Sequence, residues 1–136
     1  MKRILMLLSF IFLTISCSPE DDGPNVHYEN LPVVEVELPS SFILGETHPI
    51  KVWYYKPTTC HGFNGFYYEK DLNIRTIAVQ SIVSESSSCQ DLEQELVEAT
   101  MYFYVTNNGS YIFKFWQGTN TSGEDIFLEV EVPVVD

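Results

Sequence analysis

The sequence predicts an all-β fold: an antiparallel two-sheet sandwich, immunoglobulin-like in architecture and of about seven strands, with a small β-barrel as the alternative. Three observations carry this. Apolar and polar residues alternate with period two over most of the chain beyond residue 31. Breakers built from Pro, Gly, Asn and Ser recur at intervals of roughly 8–12 residues. No long helical period is present there.

The first strand alternates Val34, Val36 and Leu38 with Glu35 and Glu37, and Pro39-Ser40-Ser41 ends it. In the second, Ile50, Val52 and Tyr54 alternate with Lys51, Trp53 and Tyr55 as far as Pro57. His61 to Tyr68, HGFNGFYY, holds two glycines and an asparagine and predicts a short, kinked strand near Phe66 to Tyr68. Ile74 to Val83 is a further strand, and Gln90 to Gln94 predicts one helical turn. A long strand from Leu96 sets Val97, Ala99, Met101, Phe103 and Val105 on one side. Tyr111 to Gln117 and Ile126 to Val132 complete the set. In the last strand Ile126, Leu128, Val130 and Val132 face inward and Glu129 and Glu131 outward.

Asn-Gly between two strands signals a tight hairpin. A two-residue turn at Asn108-Gly109 would set Phe103 opposite Lys114. A three-residue loop of Asn107, Asn108 and Gly109 pairs Phe103 with Phe113, Met101 with Phe115 and Val105 with Tyr111. A one-residue slip moves every side chain to the other face, so the buried face selects the second register, with Gly109 left-handed. That register turns Tyr102, Tyr104, Ile112 and Trp116 outward. In an immunoglobulin-like order the second strand lies beside the long one. Trp53, Tyr55, Tyr102 and Tyr104 then form one exposed aromatic surface, a candidate interaction site. The bland alternative is that loops or lysine stems cover these rings.

Ahead of the strands stands MKRILMLLSFIFLTISC. Lys2 and Arg3 open it, an apolar run of about a dozen residues follows, and Ser16 precedes Cys17: the layout of a secretory signal peptide. A spanning helix needs roughly 20 apolar residues. The end at Cys17 resembles the lipobox of bacterial lipoproteins, although Thr14 stands where that pattern prefers Leu. Ordinary secretion is the alternative. If Cys17 carries two or more acyl chains it anchors the protein stably. The division expected is residues 1–16 leader, 17–31 acidic flexible tether and 32–136 sandwich. The run Glu20-Asp21-Asp22 in the tether resembles the signal with which Bacteroidota place lipoproteins on the outer face of the cell.

Loss of Lys2 and Arg3 takes the net charge from −12 to −14, which opposes nucleic acid and anionic lipid as partners. With Cys17 given to lipid, Cys60 and Cys89 remain, and an even pair in an exported chain is most simply a disulfide. Both lie just outside strand runs, so the bridge should tie loops at one end of the sandwich. A catalytic Cys60 beside His61 is the rival, but neighbours on an extended chain point to opposite sides. His27, His48 and His61 are dispersed, without metal-ligand spacing, and read as solvated loop residues. No phosphate loop, nucleophile elbow or cofactor motif is present. Neither Glu20-Asp21-Asp22 nor Glu124-Asp125 has the spaced ligands of a tight calcium loop.

Three segments together look familiar: PTTCHGFNGFYY from Pro57 to Tyr68, RTIAV from Arg75 to Val79, and YVTNNGSYIFKFW from Tyr104 to Trp116. They resemble small uncharacterised surface lipoproteins of flavobacteria and other Bacteroidota. The resemblance implies location and fold, and no activity comes with it. The expected function is a non-enzymatic, lipid-anchored outer-membrane protein that serves as an extracellular binding or interaction module, possible partners being a glycan or a protein. A secreted inhibitor or accessory subunit acting through loops such as His61 to Phe66 is the alternative. A hydrolase assembled from dispersed carboxylates is the third.

Overall fold

The computed structural model describes residues 23–136, in which nine strands pack as two sheets that do not close into a barrel. The expectations for the leader, for Cys17 and for Glu20-Asp21-Asp22 lie outside the described residues. The strands are β1 (Val26–Leu31), β2 (Val33–Glu37), β3 (Phe42–Ile43), β4 (Thr47–Thr58), β5 (His61–Asp71), β6 (Ile74–Ser84), β7 (Asp91–Tyr104), β8 (Ser110–Thr119) and β9 (Asp125–Val135). Six form the large sheet: β1-β6-β8-β9-β3, with β5 on β6 as well. The small sheet is β2-β4-β7. β6 is the hub of the large sheet. β5 lines one edge of it, while β1 (along Val79–Ser84) and β8 (along Ile74–Ile77) share the other end to end.

The all-β sandwich is as expected; its strand count and some directions are not. β1 and β3 lack a clean alternation, which takes the count to nine. β1 falls inside the segment expected to be tether, so the folded domain starts six residues before residue 32. Pairing with β6 and burial of Leu31 hold it there. Two pairings, β3–β9 and β6–β8, are parallel. The second arises because the chain leaves β6, crosses the small sheet as β7 and returns as β8 in the same direction, the crossover that parallel strands require. The expected helical turn at Gln90–Gln94 is absent; β7 begins at Asp91 and pairs with β4.

The expected hairpin is also overturned. β7 and β8 lie in different sheets, and Asn107–Gly109 crosses between them. Gly109 has φ +97°, the left-handed conformation expected of it. Phe103 and Phe113 both face the core, but from opposite layers, with ring centroids 5.2 Å apart at 83°. Phe42 of β3 packs against both rings and against Tyr111. Arg75 is buried in the same layer over the Tyr111 and Phe103 rings, its Nη1 donating to Leu72 O and Ile74 O. Tyr111 Oη accepts the backbone N–H groups of Thr106 and Asn107, which pins the crossing loop to the core. At the other end Cys60 and Cys89 form a disulfide, Cα–Cα 5.4 Å, joining the β4–β5 turn to the β6–β7 loop as expected.

Candidate functional site

The four aromatics singled out from the sequence do share the outer face of the small sheet. β4 and β7 are antiparallel neighbours, and Tyr55, Tyr102 and Tyr104 are 44, 73 and 58% exposed. They do not form one patch. Tyr102 lies opposite Pro49 and Tyr104 opposite Thr47, whereas Trp53 lies opposite Glu98 and Tyr55 opposite Leu96. Four residues along β4 separate the two rungs, about 13 Å at strand rise. Between them stand Thr100 and the Lys51–Glu98 ion pair, 3.6 Å. The face therefore carries two aromatic ends and a charged middle. Its Tyr102–Tyr104 end meets Phe66 and Tyr68 of β5 across the edge of the sandwich, around an open cleft of about 480 Å³.

Trp116 and Ile112, expected beside Tyr102 and Tyr104, lie on the opposite side of the molecule because β8 belongs to the large sheet. There they belong to a face that sequence reasoning missed. On β6 the odd-numbered residues from Arg75 to Val83 face the core, so Thr76 and Ala78 lie on the outer side of the sheet, where neighbouring side chains cover Ala78 to 3% exposure. Ala78 is opposite Tyr67 on β5, and Thr76 is opposite Glu69. On the other edge of β6, Thr76 is opposite Lys114 of β8, with Trp116 two residues further on. Trp116 in turn lies opposite Phe127 of β9. The two small residues thus make a floor, with Tyr67 and Glu69 as one wall and Lys114 and Trp116 as the other. The cavity holds about 490 Å³, and Asn30 closes it on the β1 side.

Polar partners fix the side chains of this groove. Trp116 Nε1 donates to Asp125 Oδ1 at 2.9 Å. Lys114 Nζ stands 4.5 Å over the Phe127 ring and 3.9 Å from Glu129 Oε1. Tyr67 Oη donates to Glu69 Oε2. That bond, the Glu69 charge and then burial hold the phenol above its ordinary range, so Tyr67 remains a neutral donor at physiological pH. Each ring therefore has a polar group bound at its edge or over its face. The only signal for the groove in the sequence is a pair of small residues, Thr76 and Ala78, at alternate positions of one strand.

The histidines are not loop residues: all three stand on strands with partners, His27 exposed as expected and His61 buried. His48 Nε2 accepts Ile43 N–H at 3.0 Å, which orients β3. His61, 9% exposed, bonds Glu29 of β1 through Nε2 and Thr58 Oγ1 through Nδ1, the latter at 2.7 Å. A carboxylate only accepts, so Nε2 carries the proton, and in the neutral ring Nδ1 receives the Thr58 hydroxyl. His27 lies 3.6 Å from Glu29 and 3.4 Å from Glu85. Hydroxyl, imidazole and carboxylate in this order also describe an activated nucleophile. Here the hydroxyl belongs to the disulfide turn, where it accepts Cys60 N–H at 3.2 Å, and the chain of bonds clamps β1 to that turn. His61 to Phe66, expected as a loop, is part of β5, bulged between Phe63 and Phe66 with Gly65 at φ +87°. Among the described residues no group of three or more His, Cys, Asp or Glu converges as metal ligands.

No protein-family model, curated protein or solved structure matches this chain.

Proposed function

We propose that this protein is a non-enzymatic binding module of the bacterial envelope, anchored in the outer membrane through lipid on Cys17 and displayed on the cell surface. The leader and the acidic residues behind Cys17 support the location. The observation that carries the binding role is the groove on the large sheet. Ligand sites are concave, of roughly 300–1,000 Å³, and combine rings with a few placed polar groups. The groove has that size, and it sets the rings of Tyr67, Trp116 and Phe127 among polar groups more numerous than most such sites carry. Its walls come from β5 and β8 on either side of the hub strand, so the sheet holds them in place.

Two measurements test this. Mass spectrometry of the native N-terminus should find a lipidated Cys17; an unmodified start elsewhere removes the anchor. Full-length protein in mild detergent should retain a component of its own envelope, and Trp116→Ala should lose it while Tyr102→Ala keeps it. Retention lost with Tyr102→Ala and kept with Trp116→Ala would move the site to the cleft between β5 and β7.

A further inference from the structure

We infer that the ligand of the large-sheet groove is a neutral pyranose saccharide; the inference rests on the binding reading above and names its chemistry. A pyranose has an apolar C–H face and an edge of hydroxyl groups that both donate and accept. The groove presents the matching halves in alternation. Tyr67 and Trp116 stand on the strands that flank β6, about 10 Å between strand lines, and face each other across a groove floored by Thr76 and by Ala78, the latter covered to 3% exposure. Tyr and Trp suit such a groove because a large apolar surface comes with a polar tip.

The hydroxyl edge is served by groups already held in place. Asp125 uses one oxygen on Trp116 and Glu69 one on Tyr67, so each carboxylate keeps its second oxygen for a ligand donor. Lys114, steadied over Phe127, offers N–H donors to ligand oxygens. Asn30 adds an amide that both donates and accepts. Groups fixed before binding lose little freedom when the ligand arrives.

Charge and polarity exclude the competing classes. Phosphate or sulfate esters would meet Glu69, Asp125 and Glu129 around a single ammonium, in a chain of net charge −12. A lipid tail would find no continuous apolar wall, because each ring is flanked by a charged or amide group. A neutral, hydroxyl-rich ring satisfies both constraints.

The test uses the full-length protein in detergent with Trp53→Phe, so that Trp116 is the fluorescent reporter, titrated with an array of neutral pyranose oligosaccharides and with inositol hexaphosphate. At least one neutral glycan should saturate and shift the Trp116 emission. In binding measured by calorimetry, Tyr67→Ala and Trp116→Ala should each weaken it by about 10-fold or more. Trp116→Phe should retain most of it and Tyr102→Ala all of it. Near-ultraviolet circular dichroism and an intact disulfide certify that each variant is folded, and Tyr67 and Trp116 sit on different strands, so one misfolded variant does not end the test. No neutral glycan bound, tighter binding of the hexaphosphate, or glycan binding indifferent to both Tyr67 and Trp116 would each overturn the inference. The binding reading then survives if the envelope component is still retained in a Trp116-dependent way, and falls with it if nothing is retained.

Discussion

The two outer faces of the sandwich carry similar numbers of exposed aromatics and differ in what stands between them. On the small sheet the middle strand, β4, presents Pro49, Lys51, Trp53 and Tyr55. Large side chains fill the centre, and the Lys51–Glu98 pair divides the rings into two ends. On the large sheet the hub strand, β6, has Thr76 and the covered Ala78 on its outer side, and the rings rise on either side. A groove thus forms where small residues lie between large ones. Among the described residues the most exposed ring, Tyr102, stands on the face whose middle strand carries Lys51 and Trp53 at its centre.

The strongest way to break the comparison is to remove the core that both faces share. Phe113→Ala leaves a void among Phe42, Phe103, Tyr111 and Phe115. It should cost about 3–5 kcal/mol in denaturant unfolding and abolish features of both faces together. Opening the bridge acts at one end only. Cys60→Ser releases a loop of 29 residues' separation and should cost about 2–5 kcal/mol. Two reactive thiols in the folded native chain would refute the disulfide. At the same end, His61→Ala removes the ring that joins the Glu29 carboxylate to the Thr58 hydroxyl, leaving them only His27 and Cys60 N–H. It should cost about 1–3 kcal/mol, with hydrogen exchange rising first in β1.

Two smaller effects sharpen the contrast. A double-mutant cycle on Lys51 and Glu98 should give a coupling of only about 0–1 kcal/mol, because both side chains are solvated. The pair's role is to interrupt the aromatic surface, so Lys51→Leu with Glu98→Leu should promote self-association, read by analytical ultracentrifugation. A monodisperse double variant would show that the divided patch has no latent stickiness. The smallest effect lies in the groove. Tyr67 is raised chiefly by its bond to Glu69, so Glu69→Ala should lower its ionisation midpoint in an absorbance titration. An unchanged titration would mean that the two side chains are not joined in solution.

Much of this was legible in the chain. Period-two patterns are local, and burial enforces them. Ile50, Val52 and Tyr54 face the core as read, and so do Ala99, Phe103 and Val105. The disulfide followed from the expectation that an exported chain pairs its even set of cysteines, and the left-handed Gly109 from the turn chemistry of Asn-Gly. The tertiary structure alone decided which sheet each strand joins. An apolar face says that a strand looks inward; it does not say whether the side chain it meets is beside it or across the core. Phe103 and Phe113 satisfy burial equally as hairpin partners or as facing layers, and the second arrangement is the one observed. That choice sends Tyr102 and Trp116 to opposite sides of the molecule, brings β5 and β8 to either side of β6, and so makes the groove: a property of neighbours distant in sequence, to which the local pattern contributes only the small pair Thr76 and Ala78.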